Sequence, residues 1–311
     1  MLFEIGIIGA SGQDGYFMTR YLLKKGLSVL AIVRSKKKNI LELKSKYKKR
    51  IKIVEIKKMD KKNYLKLLNN FRIKKIFFFA GFSKIPNNSL QKKKCISGNF
   101  EIFREFLEAC LMLKFVPKIL YLSSGEIFGT NQKHRKNENS KILAENCYSE
   151  CKIKSVKLIS YYRKKYNFFI SNAICYNHES IFTPKNHIIR KIINLLKKKD
   201  NKIVKFYNPD EMRNISHVYD FLPYFDKILN LKKNADYIFA NNENYSIKMI
   251  VEYLNKFYNK KISYVKNDAY KMSRNGNNAK IRNFLAYCPK FNTKKILTRM
   301  ISYEKKNVYL K

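Results

Sequence analysis

Tyr148 and Lys152 stand four residues apart in a stretch with helical periodicity, which puts a phenol and an ammonium on one helix face, one turn apart. In a cleft the ammonium lowers the pKa of the phenol, and the phenolate can then accept a proton from a hydroxyl. Tyrosine and lysine are both abundant in this chain, so the pair also reads as a chance spacing on an ordinary helix. A second group, Ser123-Ser124-Gly125-Glu126, follows an apolar run. A hydroxyl there can hydrogen-bond a carbonyl or alcohol oxygen, and a carboxylate two residues on can reach a neighbouring C–H. The bland reading is a polar loop with a helix cap. The third group is Gly9-Ala10-Ser11-Gly12-Gln13-Asp14-Gly15, between an apolar run and a helical pattern. A strand, a glycine turn and a helix N-terminus form a site for a dinucleotide pyrophosphate, held by backbone N–H groups and the helix dipole. Arg34 closes the next apolar run, where an acid would pair with the ribose hydroxyls of NAD. Its guanidinium suits a 2′-phosphate, Ser35 and Lys36 add a donor and a charge, and NADP is favoured, unless Arg34 is one more surface base.

Positioning these groups requires strands that end where the groups begin. Apolar runs at residues 3–8, 28–33, 51–56, 76–80, 119–122 and 168–176 read as strands. Helical patterns separate them at 16–25, 64–71, 100–113 and 144–166, so the first 175 or so residues predict a parallel sheet with right-handed crossovers. Further on, helices are expected at 186–198, 216–229, 247–257 and 292–303, a short strand at 237–240 and a loop at 275–278.

The chain has 311 residues and 45% hydrophobic content, enough for a substantial core. No window approaches the ~18 apolar residues of a membrane span, and no leader pattern precedes the first strand. Lys+Arg 66 against Asp+Glu 23 gives a net charge of +43. A nucleic-acid binder looks like this. The excess is mostly lysine, however, spread along the chain and accompanied by Asn, Ile, Phe and Tyr, which share adenine- and thymine-rich codons. Composition bias therefore explains the charge without an anionic partner, and no specific nucleic-acid contact is expected. The cysteines (Cys95, Cys110, Cys147, Cys151, Cys175, Cys288) lack paired metal-type spacing and read as reduced thiols of a cytoplasmic protein. The four histidines are too dispersed for a metal site, and no metal is expected.

The glycine turn, Ala80-Gly81, Ser123-Ser124-Gly125-Glu126-Ile127-Phe128-Gly129 and Tyr148/Lys152 occur in an order that resembles the extended short-chain dehydrogenase/reductase family. Gly-Gln-Asp-Gly at 12–15, Ile32-Val33-Arg34 and Tyr176-Asn177-His178-Glu179-Ser180 are similar to the GDP-mannose 4,6-dehydratase family in particular, as are Ile189-Arg190-Lys191-Ile192 and Arg213-Asn214 followed by Asp220. The resemblance implies an α/β fold: a Rossmann-type doubly wound parallel sheet with a smaller, mostly helical C-terminal substrate lobe. The NADP-binding domain would span 1–176, with 216–242 returning to it, and the lobe 177–311. The implied reaction is dehydration of a nucleotide sugar, GDP-mannose, by transient oxidation at carbon 4, supplying deoxysugars for surface polysaccharide. Tyr148 would deprotonate the 4-hydroxyl, Lys152 would lower its pKa and hold the nicotinamide ribose, Ser124 would bond the reacting oxygen, and Glu126 would be the carbon-5 base. Cofactor contacts are implied for Gly9, Gly12, Gln13, Asp14, Gly15, Arg34 and Asp60. Ala80, Gly81 and His178 join Tyr148 and Lys152 in that set. Substrate contacts fall to Ser83, Asn177, Arg190, Lys191 and Arg213.

The chain departs from the family at Ile181-Phe182-Thr183-Pro184, where the family has arginines that contact cofactor, and in the shorter Ser-Lys-Lys-Lys loop after Arg34. That loop reaches a neighbouring subunit in the family, so a homodimer is expected rather than a tetramer. Asn214 and Ile215 replace an Asp and a Trp. A 4-epimerase, decarboxylase or keto-sugar reductase would keep the same Ser124, Tyr148 and Lys152, and a non-catalytic dinucleotide-binding protein would keep the glycine turn alone.

Overall fold

The computed structural model describes residues 2–82, 85–130, 134–185, 187–198, 200, 202–266 and 273–305. The chain divides into two compact units. The first comprises Met1–Ile127, Ile142–Ile174 and Leu222–Tyr237, and the second comprises Phe128–Lys141, Cys175–Phe221 and Ile238–Lys311.

The first unit alternates strand and helix: β1 (Ile5–Ile8), α1 (Gln13–Lys24), β2 (Val29–Val33), α2 (Lys38–Tyr47), β3 (Ile51–Glu55), α3 (Lys61–Asn70) and β4 (Lys75–Phe78). There follow α4 (Ser89–Ile96), a π-helical turn Ser97–Glu101, α5 (Ile102–Cys110), β5 (Lys118–Ser124), a 3-10 turn Gly125–Phe128, α6 (Cys147–Tyr166) and β6 (Ile170–Cys175). β1, β2 and β6 are buried at every position, which is why they appear in the sequence as unbroken apolar runs rather than alternating ones. The helix expected at 100–113 begins eleven residues earlier, at Ser89. Its polar, lysine-rich first half (Ser-Leu-Gln-Lys-Lys-Lys) lacks an apolar stripe, so its helicity rests on the Asn88 cap, whose side chain accepts from the Gln91 N–H. The expected 144–166 helix starts at Cys147, because Asn146 and Ser149 form a reciprocal capping box there.

Beyond the first unit's main run come β7 (Asn177–Glu179), α7 (Ile188–Leu196), β8 (Val204–Tyr207), β9 (Met212–His217), α8 (Val218–Ile228) and β10 (Asp236–Phe239). The chain ends with β11 (Asn244–Ser246), α9 (Ile247–Asn255), β12 (Ile262–Val265), β13 (Ser273–Arg274), α10 (Ala279–Leu285) and α11 (Thr293–Lys305). β10 returns to the large sheet, whose order is β10-β6-β5-β4-β1-β2-β3. The pairs β1·β2, β1·β4, β2·β3 and β4·β5 are all parallel. The order reverses direction between β1 and β4, and ligands of such open sheets bind outside the strand carboxyl ends at that point.

In the second unit β9 is the hub: β7 pairs with it in parallel over Ile215–His217, β11 runs antiparallel over Met212–Asn214, and β13 is parallel at Met212 and Arg213. Ser216 and His217, expected to open a helix, are therefore strand residues paired with His178 and Glu179. The unit's core is built by Ile189, Ile192, Ile193 and Leu196 of α7, Ile250, Val251 and Leu254 of α9, and Ile296, Leu297 and Met300 of α11. Among the described residues no helix is long and apolar enough to cross a membrane.

Candidate active site

β5 delivers Ser124 at its last position, the 3-10 turn places Glu126 next to it, and the first turns of α6 supply Tyr148 and Lys152. The four residues come together. The Ser124 hydroxyl faces the Tyr148 phenol and accepts from the Glu126 N–H at 3.3 Å. Lys152 is 5% exposed, its ammonium donating to the Leu122 carbonyl at 2.8 Å and to the Tyr121 hydroxyl at 3.3 Å, and lying 5.9 Å from the centre of the Tyr148 ring. Two acceptors thus fix the Lys152 side chain beside the phenol. The pKa of Tyr148 is nevertheless raised. Burial is the largest cause, Glu126 and Tyr121 add to it, and Lys152 and Ser124 pull the other way. The expectation of a depressed phenol is thus corrected for the protein alone: Lys152 acts in the foreseen direction but burial outweighs it.

The glycine turn divides its labour by position. Gly9 has φ +91°, and a Cβ on it would meet the Ala80 backbone nitrogen at 2.6 Å, so the turn presses against the end of β4. A Cβ on Gly15 would overlap the Gly9 carbonyl oxygen, which accepts from the Gly12 N–H at 3.0 Å. At Gly12 an added Cβ meets only the Gly9 oxygen at 3.3 Å, and otherwise open space. Gly12 is also the N-cap of α1, with no side-chain cap bond. Two glycines therefore serve close packing, and the third leaves a backbone cradle that a side chain would fill, in front of a helix N-terminus. That is the shape a pyrophosphate requires. Gln13 and Asp14 open α1 beside it.

Arg34 is exposed directly after β2, ahead of Lys36, Lys37 and Lys38. Asp60 is the N-cap of α3: its carboxylate accepts from the Asn63 N–H at 3.0 Å and pairs with Lys58 at 3.4 Å, and these contacts hold its pKa below the usual carboxylate value. In the structure Asp60 thus caps α3. Ala80 and Gly81 follow β4; Ser83, expected to touch substrate, lies outside the described residues.

Two asparagines escaped the sequence reading. Asn99, in the π-turn and 1% exposed, accepts from the Phe82 N–H at 3.1 Å and donates to the Phe82 carbonyl at 3.1 Å and the Cys95 carbonyl at 2.9 Å. It pins the segment after β4, and a Cβ on Gly81 would lie 3.0 Å from its oxygen. Asn39 donates to the Ser11 carbonyl at 3.2 Å and so holds the glycine turn from α2. Neither carries a local sequence signal beyond a polar residue at the start or middle of a helix.

In the second unit, Asn177 and His178 lie half-buried on β7, with His178 Nδ1 2.8 Å from the Tyr176 carbonyl and its ring 5.1 Å from that of Phe221. Arg190, expected to hold substrate, donates to the Thr183 carbonyl at 2.8 Å and lies 3.6 Å from Glu304 of α11. It ties the turn after β7 to the last helix. Lys191, one residue on, is exposed. Arg213 is paired with Glu211, which also lies 3.7 Å from Arg274.

A family model described as GDP-mannose 4,6 dehydratase matches residues 7–301. The chain belongs to the GDP-mannose 4,6-dehydratase family. It is 24% identical over 273 residues to the GDP-mannose 4,6 dehydratase of Drosophila melanogaster, covering 83% of this chain and 69% of that one. The Homo sapiens GDP-mannose 4,6 dehydratase is 24% identical over 267 residues, covering 79% and 70%. Among solved structures, dTDP-glucose 4,6-dehydratase from Bacillus anthracis in complex with NAD superposes with a TM-score of 0.84 at 17% identity, covering 98% and 97% of the two chains. UDP-glucuronic acid 4-epimerase from Bacillus cereus gives 0.83 at 19%, covering 97% and 99%. These likenesses establish the fold, a Rossmann-type sheet of the extended short-chain dehydrogenase/reductase type. As a member of the GDP-mannose 4,6-dehydratase family the chain belongs to a family of nucleotide-sugar enzymes.

Proposed function

We propose that this family member dehydrates GDP-mannose to GDP-4-keto-6-deoxymannose, with NADP as its dinucleotide. The observation that carries the reading is the pairing of two separate bases at one strand end: Tyr148, facing Ser124 and flanked by Lys152, and Glu126 two residues beyond Ser124. Oxidation alone needs only the first; elimination needs both. The cradle at Gly12 and the charge after β2 support the dinucleotide, and the run Arg34, Lys36, Lys37, Lys38 without an acid favours a 2′-phosphate over a bare ribose. When bound, the dinucleotide accepts a hydride from sugar carbon 4 and returns it to carbon 6.

The residues of the chain do the rest. Tyr148 takes the proton of the 4-hydroxyl while Ser124 holds that oxygen. The ketone acidifies the carbon-5 proton, which Glu126 takes and passes to the departing 6-hydroxyl so that it leaves as water; carbon 5 regains a proton from solvent when the hydride is returned to carbon 6. In the second unit we assign diphosphate contact to Arg213, whose guanidinium fork suits a diphosphate, and to Asn177 and Lys191 on the less buried positions. Incubation of the protein with GDP-mannose and NADP, followed by mass spectrometry of the sugar nucleotide, tests the reading. Loss of one water is expected, with tighter binding of NADP than of NAD. Turnover of a UDP- or dTDP-sugar with GDP-mannose unchanged would overturn it.

A further inference from the structure

The cysteines, scattered in the sequence, are not scattered in space. Cys95 of α4 meets Cys147 and Cys151 of α6, and the three sulfur atoms lie within 4.8 Å of one another. Cys147 and Cys151 are four residues apart, so α6 presents both on one face, as metal-binding helices present paired ligands. Cys95 and Cys151 are buried and Cys147 is half-buried. Cys147 also lines an open cavity of about 590 Å³ together with Asn88, Lys92, Asn146 and Glu150, so one side of the thiol triangle has an entry path. Three cysteines can fill a core as small apolar residues. That role would not require sulfur from two helices to converge on one point, nor an opening onto solvent at that point.

The distances admit a metal. Ligands ~2.3 Å from a tetrahedral zinc are separated by just under 4 Å, inside the 4.8 Å within which the three sulfurs lie. A disulfide needs ~2.05 Å between sulfurs, and two cysteines one turn apart on a helix do not reach it without distortion. Thiolates select soft d10 ions over the oxygen-seeking cations. We propose that Cys95, Cys147 and Cys151 form a three-thiolate site for a soft d10 metal ion, Zn(II) or Cu(I), distinct from the residues around Tyr148. Zn(II) would take a fourth ligand from the open side, whereas Cu(I) is satisfied by three sulfurs. Each coordinating thiol gives its proton to solvent. The ion ties α4 to α6, bracing the helix that continues to Asn99 against the helix that carries Tyr148 and Lys152.

The test uses the full chain, reduced and stripped with a chelator, titrated anaerobically with Zn(II) and, separately, Cu(I) against chromophoric competitors. One ion per chain is expected, with a thiolate-to-metal charge-transfer band when Co(II) is the probe. Affinity should fall on the order of 100-fold or more in Cys95→Ser and in Cys147→Ser, and stay unchanged in Cys288→Ser, where the thiol is exposed and remote in sequence. Cys147, being half-buried, is the substitution that keeps the fold if Cys95→Ser does not, as circular dichroism would show. The wild-type unfolding midpoint should rise with metal and that of Cys147→Ser should not. Absence of stoichiometric binding to the wild type, or binding that survives Cys147→Ser in a folded variant, would overturn the proposal.

Discussion

Lys152 sets the protonation of Tyr148, and its effect can be isolated. With burial raising the phenol pKa and Lys152 and Ser124 lowering it, removing the ammonium leaves burial unopposed by the larger of the two. Lys152→Met should therefore lower turnover on the order of 100-fold or more near neutral pH. The rising limb of its pH–rate profile should move to higher pH, because the phenolate then forms later. A profile of unchanged midpoint would refute this electrostatic role. Glu126→Gln separates the two bases: hydride exchange with the dinucleotide should persist while water loss falls by at least ~100-fold, seen by solvent-deuterium incorporation at carbon 5. These residues were legible because their chemistry is local, a four-residue spacing and a Ser-Gly-Glu at a strand end. Arg190 and Arg213 were assigned from the resemblance of their segments to the family and the fit of a guanidinium fork to a diphosphate. The sequence does not reveal their partners, Glu304 of α11 and Glu211, since one depends on tertiary contact and the other on the fold of a β-hub.

At the scale of elements, the glycine turn gives a paired test. Gly12→Ala places its methyl group in the open cradle, so the fold should hold while dinucleotide affinity drops. Gly15→Ala drives a methyl group into the Gly9 carbonyl, and an overpacking cost of ~1–3 kcal/mol should appear as reduced stability. Thermal melts and dinucleotide titrations of both variants distinguish the two roles; equal losses of stability would defeat the distinction. The strands of the large sheet were legible because burial on both faces makes them continuous apolar runs. The short strands of the second unit were not. β8, β9 and β12 alternate weakly, and β9 is polar (Met-Arg-Asn-Ile-Ser-His) because its buried groups find partners on the segment after β10: Asn214 donates to the carbonyls of Asn241 and Glu243 at 2.9 and 3.1 Å. The π-turn carrying Asn99 has no pattern in sequence either, since an extra residue in a helical turn shifts the apolar stripe rather than removing it.

For the molecule as a whole, acid is the weak point, and it lies in the second unit. His217 is 1% exposed, its ring 4.5 Å from that of Phe291, and burial, Arg299 and His178 push its pKa down to about 3. The unfolded chain binds that proton near pH 6.5 and the folded one does not. Stability is therefore lost as pH falls below 6.5, on the order of 4 kcal/mol by pH 3. Buried Asp220, raised to about 6 with the Lys290 and Phe291 N–H groups on its oxygens, works the other way between pH 4 and 6. His187, lowered to about 4, sides with His217 and tips the balance. Urea midpoints should fall between pH 7 and 4.5, and His217→Phe, which keeps the ring contact, should flatten that slope. A slope unchanged in the variant would rule His217 out as its source.

The return of β10 to the large sheet also dictates when the first unit can be finished. β6, buried at all six positions, stands between β5 and β10. Lys25, Lys118 and Arg163 anchor the returning segment through Asp226, the Leu231 carbonyl and Asp236. On the ribosome roughly 60 residues separate Tyr176 from Tyr237, an interval of about 3–12 s at ordinary synthesis rates. Throughout it the nascent chain carries an unpaired apolar edge strand, a surface that attracts chaperones or other nascent chains. A stalled chain carrying residue 176 clear of the exit tunnel should be captured by holdase chaperones, and one carrying residue 240 clear of it should be released.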